Sequence, residues 1–303
     1  MGILRLSHVA IRTPDIELAT AYYSEVLGLV ETAREHERVY MKCWDEHQHH
    51  SVILEYAPTY GLNRLGFKVQ HRSDLDDLAI RLESVGVRTE RFGPGELGPG
   101  SGETVRFRAP SGHVTELVWG MAQVGNLLPL TNPPPEPLGL VGIHPPRIDH
   151  IFLMCEDVDA VTHFYTDILE FRLTEQVLAD DGHQLVTFLE RTHTPHDIAF
   201  ITGPNGAFHH VAFWLDDWNE VRRAADMCSY HGIPIDAGPT RHGATRGYGL
   251  YFFDPAGNRN EVFTGGYWSD PDREPITWTE AEIGRAVFYY EGVVDHRFMT
   301  VHS

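Results

Sequence analysis

Two stretches of this chain carry the same succession of apolar and polar positions. Residues 6–29 (LSHVAIRTPDIELATAYYSEVLGL) and 148–171 (IDHIFLMCEDVDAVTHFYTDILEF) align without a gap. His8 falls on His150, Asp15 on Asp157, Tyr22-Tyr23 on Phe164-Tyr165 and Leu27 on Leu169. Each copy opens on a short apolar strand and reaches an Asp placed to cap a helix. Apolar residues at helical spacing follow: Val158, Val161, Tyr165, Ile168 and Leu169 in the second copy. A second pair, 65–86 and 211–232, reads as strand, acidic turn, helix and glycine stop. A third, 107–118 with 253–263, matches Pro110 to Pro255, Gly112 to Gly257 and Glu116 to Glu261. There a Pro-x-Gly turn precedes a strand that carries the glutamate.

The pattern predicts an α+β fold of two homologous domains, each built from two strand–helix–strands modules. Residues 1–124 form the first domain and 148–269 the second. Between them, 125–147 hold seven prolines and read as a linker. Residues 270–303 form a tail with one helix, where Thr279 and Glu282 suit a capping box ahead of Ile283, Ala286 and Val287.

The repeat is broken at one chemically telling point. The second half places His150, His210 and Glu261 on three strands, and the first half has His8, Arg64 and Glu116 at the matching positions. Two imidazoles and a carboxylate on one face leave metal positions open, as in the facial triad of non-haem iron(II) oxygenases. A guanidinium is permanently charged and cannot ligate, so only the second half is expected to bind metal. The alternative is a set of satisfied core histidines and a surface glutamate, since the three residues lie far apart in sequence. His196, His242 and Tyr251 sit near the same strands; His242, flanked by Pro and Gly, reads equally as an active-site loop residue or a solvent-facing one. Other features read as bland. Gly93, Gly95 and Gly98 spell a glycine-rich motif interrupted by prolines, a loop; His47, His49 and His50 read as a solvated turn; Cys228 reads as a buried apolar residue.

Composition narrows the class. Forty-three acidic against 24 basic residues give a net charge of −19, which speaks against nucleic acid and anionic membrane surfaces and suits a small neutral or weakly acidic substrate. No apolar run approaches the ~18 residues of a membrane span, and the N-terminus lacks the pattern of a secretory leader. Three cysteines without a C-x-x-C pair indicate neither a disulfide framework nor a thiolate zinc site. The expected location is the cytoplasm.

The stretches AFHHVAFWLDDWNEVRRAAD, GIPIDAGPTRHGATRGYGLYFFDPAGNRNEVFTGG and RFMTVHS closely resemble the catechol 2,3-dioxygenases (metapyrocatechases). These are type I extradiol ring-cleaving dioxygenases of the vicinal oxygen chelate superfamily. The likeness is dense from residue 148 onward and looser through the first half. It implies paired βαβββ modules, the glyoxalase-like fold, with Fe(II) held by His150, His210 and Glu261, the second histidine of the His209-His210 pair being the ligand. It further implies catalytic and substrate-binding roles for His196, His242 and Tyr251, a catechol-type substrate with O2, and a homotetramer. The expected reaction is cleavage of the catechol ring beside the diol to 2-hydroxymuconic semialdehyde. A glyoxalase-type lyase, a metal-free binding protein and a dioxygenase of bicyclic diols are the rival readings. The tail aromatics Trp278, Phe288, Tyr289 and Tyr290 fit either an interface or the domain core.

Overall fold

The computed structural model describes residues 2–303. The first half runs β1 (Ile3–Thr13), α1 (Ile16–Ala21, continued by a π turn over Tyr22–Val26), β2 (Val30–Glu35), β3 (Arg38–Lys42) and β4 (Val52–Tyr56). It then repeats as β5 (Gly61–Val69), α2 (Arg72–Ser84), β6 (Thr89–Phe92), β7 (Glu103–Arg108) and β8 (Val114–Trp119). The second half follows the same order: β9 (Arg147–Cys155), α3 (Val158–His163, with a π turn over Phe164–Ile168), β10 (Arg172–Leu178), β11 (Gln184–Glu190) and β12 (Ile198–Thr202). Its last module is β13 (Phe208–Trp214), α4 (Trp218–Tyr230), β14 (Ile235–Arg241), β15 (Gly247–Phe253) and β16 (Arg259–Gly265). The tail adds β17 (Ile276–Thr279), α5 (Ile283–Val287) and α6 (His296–Thr300).

The sequence repeat becomes a repeat of topology. The first sheet has the order β2-β3-β4-β1-β5-β8-β7-β6, and the second, read from β10 to β14, is the same order with β17 added beside β10. Within each sheet the two βαβββ modules meet at an antiparallel pair, β1 with β5 and β9 with β13. Asp15 and Asp157 cap their helices as expected, accepting from the backbone N–H of Leu18 and Ala160 at 2.9 Å.

Strand alternation divides each sheet between two environments. Leu6, Val9 and Ile11 of β1, Leu65 and Phe67 of β5, Ile151 and Leu153 of β9, and Val211 and Phe213 of β13 enter one continuous apolar core drawn from both halves. Phe67 packs edge-on against Phe171 and Tyr165 of the other half. The two Pro-x-Gly turns cross over. Ser111 accepts from Gly206 N at 2.8 Å, while Asn258 accepts from Gly61 N at 2.8 Å and donates to Arg12 O at 3.1 Å. Each half thus closes the other's backbone hydrogen bonds.

Two expectations fail. The Thr279–Glu282 capping box does not form: Thr279 ends β17, which pairs in parallel with β10, and neither residue caps a helix with its side chain. Thr279 still stands at the N-cap of a 3-10 turn over Glu280–Glu282 that leads into α5, so the helical segment starts where the pattern places it and only the side-chain bonds are missing. His49 and His50 are buried, not a solvated turn; their Nδ1 atoms lie 2.9 Å apart and the His50 ring packs against His8 and Tyr40. Three cysteines are free and buried, Cys228 among them, and no helix of the described residues is long and apolar enough to cross a membrane.

His113, in the turn before β8, bridges the halves. Its Nε2–H donates to Ala207 O at 3.1 Å, and Nδ1 meets Ser111 Oγ at 3.0 Å. Burial outweighs the carbonyl contact and lowers its pKa to about 4. The unfolded chain takes up this proton near 6.5, so stability is full above that pH and falls as the pH drops toward 4. The loss is about 3 kcal/mol. Urea melts at pH 7 and pH 4.5 should show it, and His113→Gln should reduce the difference between the two.

Candidate active site

On β9 the residues alternating with the core positions, His150 and Phe152, face a cavity on the other side of the second sheet. On β13 the pairing with β9 shifts register between Phe208 and His210. This bulge turns two successive side chains, His209 and His210, toward the cavity while Phe208 and Val211 stay in the core. From β16, Glu261 and Phe263 reach the same space, as does Tyr251 from β15. Ligand atoms of His150, His210 and Glu261 all lie within 4.8 Å of one another, and all three residues are buried.

The hydrogen-bond pattern fits a cation at the centre of these three. His150 Nδ1 meets Asp149 Oδ2 at 2.8 Å, which leaves Nε2 directed at Glu261 Oε2, 3.1 Å away. His210 Nε2 is 3.0 Å from Glu261 Oε2, yet its geometry makes no hydrogen bond, and Glu261 Oε1 has no partner either. Orphaned buried polar atoms are costly. Lone pairs converging on one point are what a metal satisfies. Burial opposes the charge on Glu261, but the imidazoles of His150, His210 and His242 hold its pKa well below the usual carboxylate range. Burial lowers the His210 pKa to about 4 and works against His150, whose carboxylate neighbours Asp149 and Glu261 nevertheless raise it to about 9. Metal binding at Nε2 displaces a proton there.

Around the triad stand the other expected residues. The loop carrying His196 is tied down by Asp197, which accepts from the backbone N–H of Arg191 and Thr192. The His196 ring centroid is 4.0 Å from that of His150, and its Nδ1 is buried without a partner. Burial, aided by the neighbouring His150, keeps its pKa well below 6.5, so the ring is neutral. His242 is buried, not solvent-facing, and donates from Nδ1 to Val287 O. Its Nε2 therefore accepts from the Tyr251 hydroxyl at 3.0 Å. Burial, with Glu261 nearby, raises the Tyr251 pKa well above 10. Gly249 makes room for this group: a Cβ there would sit 2.5 Å from Glu261 Oε1 and 2.8 Å from His242 Nε2. The remaining wall is largely apolar, with Val177, Val186, Phe188 and Ile201 from the sheet and Ala244 and Thr245 from the loop after β14. Ala286, Val287, Phe298 and Met299 of the tail close it.

Residues 147–262 match the Glyoxalase/Bleomycin resistance protein/Dioxygenase superfamily, and 62–122 the Catechol 2,3-dioxygenase-like N-terminal domain. The chain is 42% identical to the metapyrocatechase of Pseudomonas sp. (strain CF600), over 99% of this chain and 98% of that protein. The chain belongs to the metapyrocatechase family of extradiol dioxygenases. It is also 30% identical to the manganese-dependent 2,3-dihydroxybiphenyl 1,2-dioxygenase of Geobacillus genomosp. 3, over 95% of this chain and 94% of that one. The solved 2,3-dioxygenase LapB from Pseudomonas sp. KL28 superposes with a TM-score of 0.89 at 42% identity, covering 92% of this chain and 98% of its own.

In this metapyrocatechase-family chain the first half carries the same constellation with its cation built in. His8 Nε2 donates to Glu116 Oε2 at 2.9 Å, Arg64 lies 3.2 Å from Oε1, and Arg106 donates to Oε1 as well. Although burial opposes it, these partners lower the Glu116 pKa to about 2. Several site residues escaped the sequence reading. Asp149 stands directly before a candidate ligand, and His209 beside another. The tail residues Ala286, Val287, Phe298 and Met299 read as helix or tail positions, not as a wall of the cavity.

Asp149 orients His150 and keeps its Nε2 free for a metal. Asp149→Asn should lower metal affinity about 10- to 100-fold. Equilibrium titration of the metal-depleted chain measures this.

Proposed function

We propose that this enzyme cleaves catechol and substituted catechols beside the diol, with O2, to 2-hydroxymuconic semialdehydes, in the breakdown of aromatic compounds. Three clustered potential ligand atoms at one end of a largely apolar cavity carry the reading. His150, His210 and Glu261 would hold a divalent metal, Fe(II). Such a metal would supply Lewis-acid activation of the diol and a route for electron density from the ring to O2. Phe152, Val186, Phe188 and Ile201 present apolar surface to the ring and its substituents and exclude water. His196, neutral and with Nδ1 free, accepts or returns a proton during ring opening. Tyr251 and His242 act as a pair: the hydroxyl proton rests on the line to His242 Nε2, and the pair orients a substrate oxygen. Gly249 leaves the space beside Glu261 in which they meet.

The identity of the metal has a specific competitor, because one 30% identical relative is manganese-dependent. In this reading the enzyme is cytoplasmic and homotetrameric. Tyr289, Tyr290 and Val293 are exposed on the tail and supply apolar surface for contact between copies, whereas Trp278 and Phe288 pack inward.

The metal-depleted chain, loaded anaerobically with Fe(II) and given catechol and then air, should form the yellow ring-opened semialdehyde. Loading with Mn(II) in parallel tests the competitor. His196→Phe should keep its metal and lose about 100- to 10,000-fold in turnover. Loss of metal from that variant would instead make His196 part of the binding site.

A further inference from the structure

The bulge on β13 leaves His209 facing the cavity side with nothing to do in the chemistry above. The residue is 2% exposed. Its Nδ1 is 2.7 Å from His210 Nδ1, and its Nε2 is 2.9 Å from two groups, Phe298 O of α6 and Arg259 Nη1 of β16. These two neighbours make opposite demands. A carbonyl only accepts and a guanidinium only donates, while a neutral imidazole has one N–H and one lone pair. His209 Nε2 therefore serves one of them at a time.

We propose that His209 is a positioning residue that couples metal loading of the triad to the seating of the C-terminal segment over the cavity. The proposal rests on His150, His210 and Glu261 being the metal site. A metal on His210 Nε2 requires that nitrogen bare, so the hydrogen sits on Nδ1 and is donated to His209 Nδ1. His209 then carries its own hydrogen on Nε2 and donates it to Phe298 O. The chain of polarity runs from the metal ligand to the backbone of the tail. In the reverse arrangement Arg259 donates to His209 Nε2, His209 donates to His210, and His210 Nε2–H points where the metal would be. Phe298 O then has no donor from His209. Arg259 has an outlet in the first arrangement, since the same Nη1 reaches Val301 O at 3.1 Å.

The consequence falls on the cavity. Phe298 and Met299 line it, and their segment is held further by Ser303, which exchanges backbone hydrogen bonds with Phe208 at 2.8 and 3.0 Å. Phe208 is the residue before His209, so the same bulge that aims the ligand also receives the end of the tail. The two histidine ligands are thus backed differently: His150 by a carboxylate, His210 through a second imidazole by a carbonyl that belongs to the closing segment.

The experiment uses the full chain, metal-depleted, with Mn(II) as the probe. Binding is followed by the electron paramagnetic resonance of free Mn(II), and amide exchange of residues 296–303 by mass spectrometry with and without the ion. In the native chain Mn(II) should slow exchange in 296–303. His209→Phe should bind Mn(II) about 10- to 100-fold more weakly, with tail exchange fast whether or not the ion is bound. His209→Gln, whose amide offers one acceptor and one donor, should recover most of both properties, which a loss of packing alone would not restore. Unchanged tail exchange at saturating Mn(II), or native affinity in His209→Phe, would overturn the proposal. If His209→Phe fails to fold, the native comparison and the glutamine variant decide. Absent binding in the native chain, or undiminished binding in His210→Ala, removes the metal site and the coupling together. Binding without any change in the tail removes the coupling alone.

Discussion

A carboxylate withdrawn from water must have a cation beside it, and the arrangement of this molecule follows from that requirement at two places. Glu116 and Glu261 occupy matching positions on β8 and β16, each at most 2% exposed. In the first half Arg64 and Arg106 supply permanent charge, and the cluster is closed. In the second half no guanidinium among the described residues reaches the carboxylate; imidazoles surround it, two of them with nitrogens aimed at a common point. Imidazole can be a neutral ligand, so this cluster could hold a metal where the first half has its guanidinium groups. One scaffold therefore yields a filled site and a receptive one through two exchanges at matched positions, Arg64 for His210 and Arg106 for Tyr251.

The sheets make that exchange consequential. Alternation along β9, β13, β15 and β16 sends one set of side chains into a core shared by both halves and the other set toward the cavity. The shared core and the crossed Pro-x-Gly turns hold the strands from behind, so the candidate ligands project from strands rather than from loops. The first half contributes no ligand, yet it completes the core against which the ligand-bearing strands are packed. Its own histidine cluster, His8, His49 and His50, stays buried as part of that filled site.

The tail finishes the pocket. Val287 O fixes the tautomer of His242, and Phe298 O stands at the end of the line from His210. Both contacts are between a backbone carbonyl of the tail and an imidazole of the site. Closure of the cavity and protonation of its histidines are accordingly one structural problem. An apolar enclosure with charge confined to its metal end favours neutral aromatic diols over polyanions, in keeping with the acidic surface of the chain.

What the sequence determined by itself was whatever repeats in one dimension. The gapless alignment of 6–29 with 148–171 foretold the helix caps at Asp15 and Asp157. The matched positions of His8, Arg64 and Glu116 against His150, His210 and Glu261 marked the half in which two imidazoles and a carboxylate come together. Only the tertiary structure decided the rest, because the partners lie far apart along the chain. Asp149 looked like any acidic residue until its carboxylate met His150. His209 was separated from its neighbour's role by a register shift with β9 that no periodicity reveals. Thr279 keeps its expected N-cap position but ends a strand paired with β10, and its side chain makes no bond to the helix. His49 and His50 read as a polar turn, and burial against His8 was set by a sheet assembled from distant segments. Local pattern specifies elements and faces; which buried groups satisfy one another depends on strands brought together by the fold, and the choice between a built-in guanidinium and a bound metal becomes visible only there.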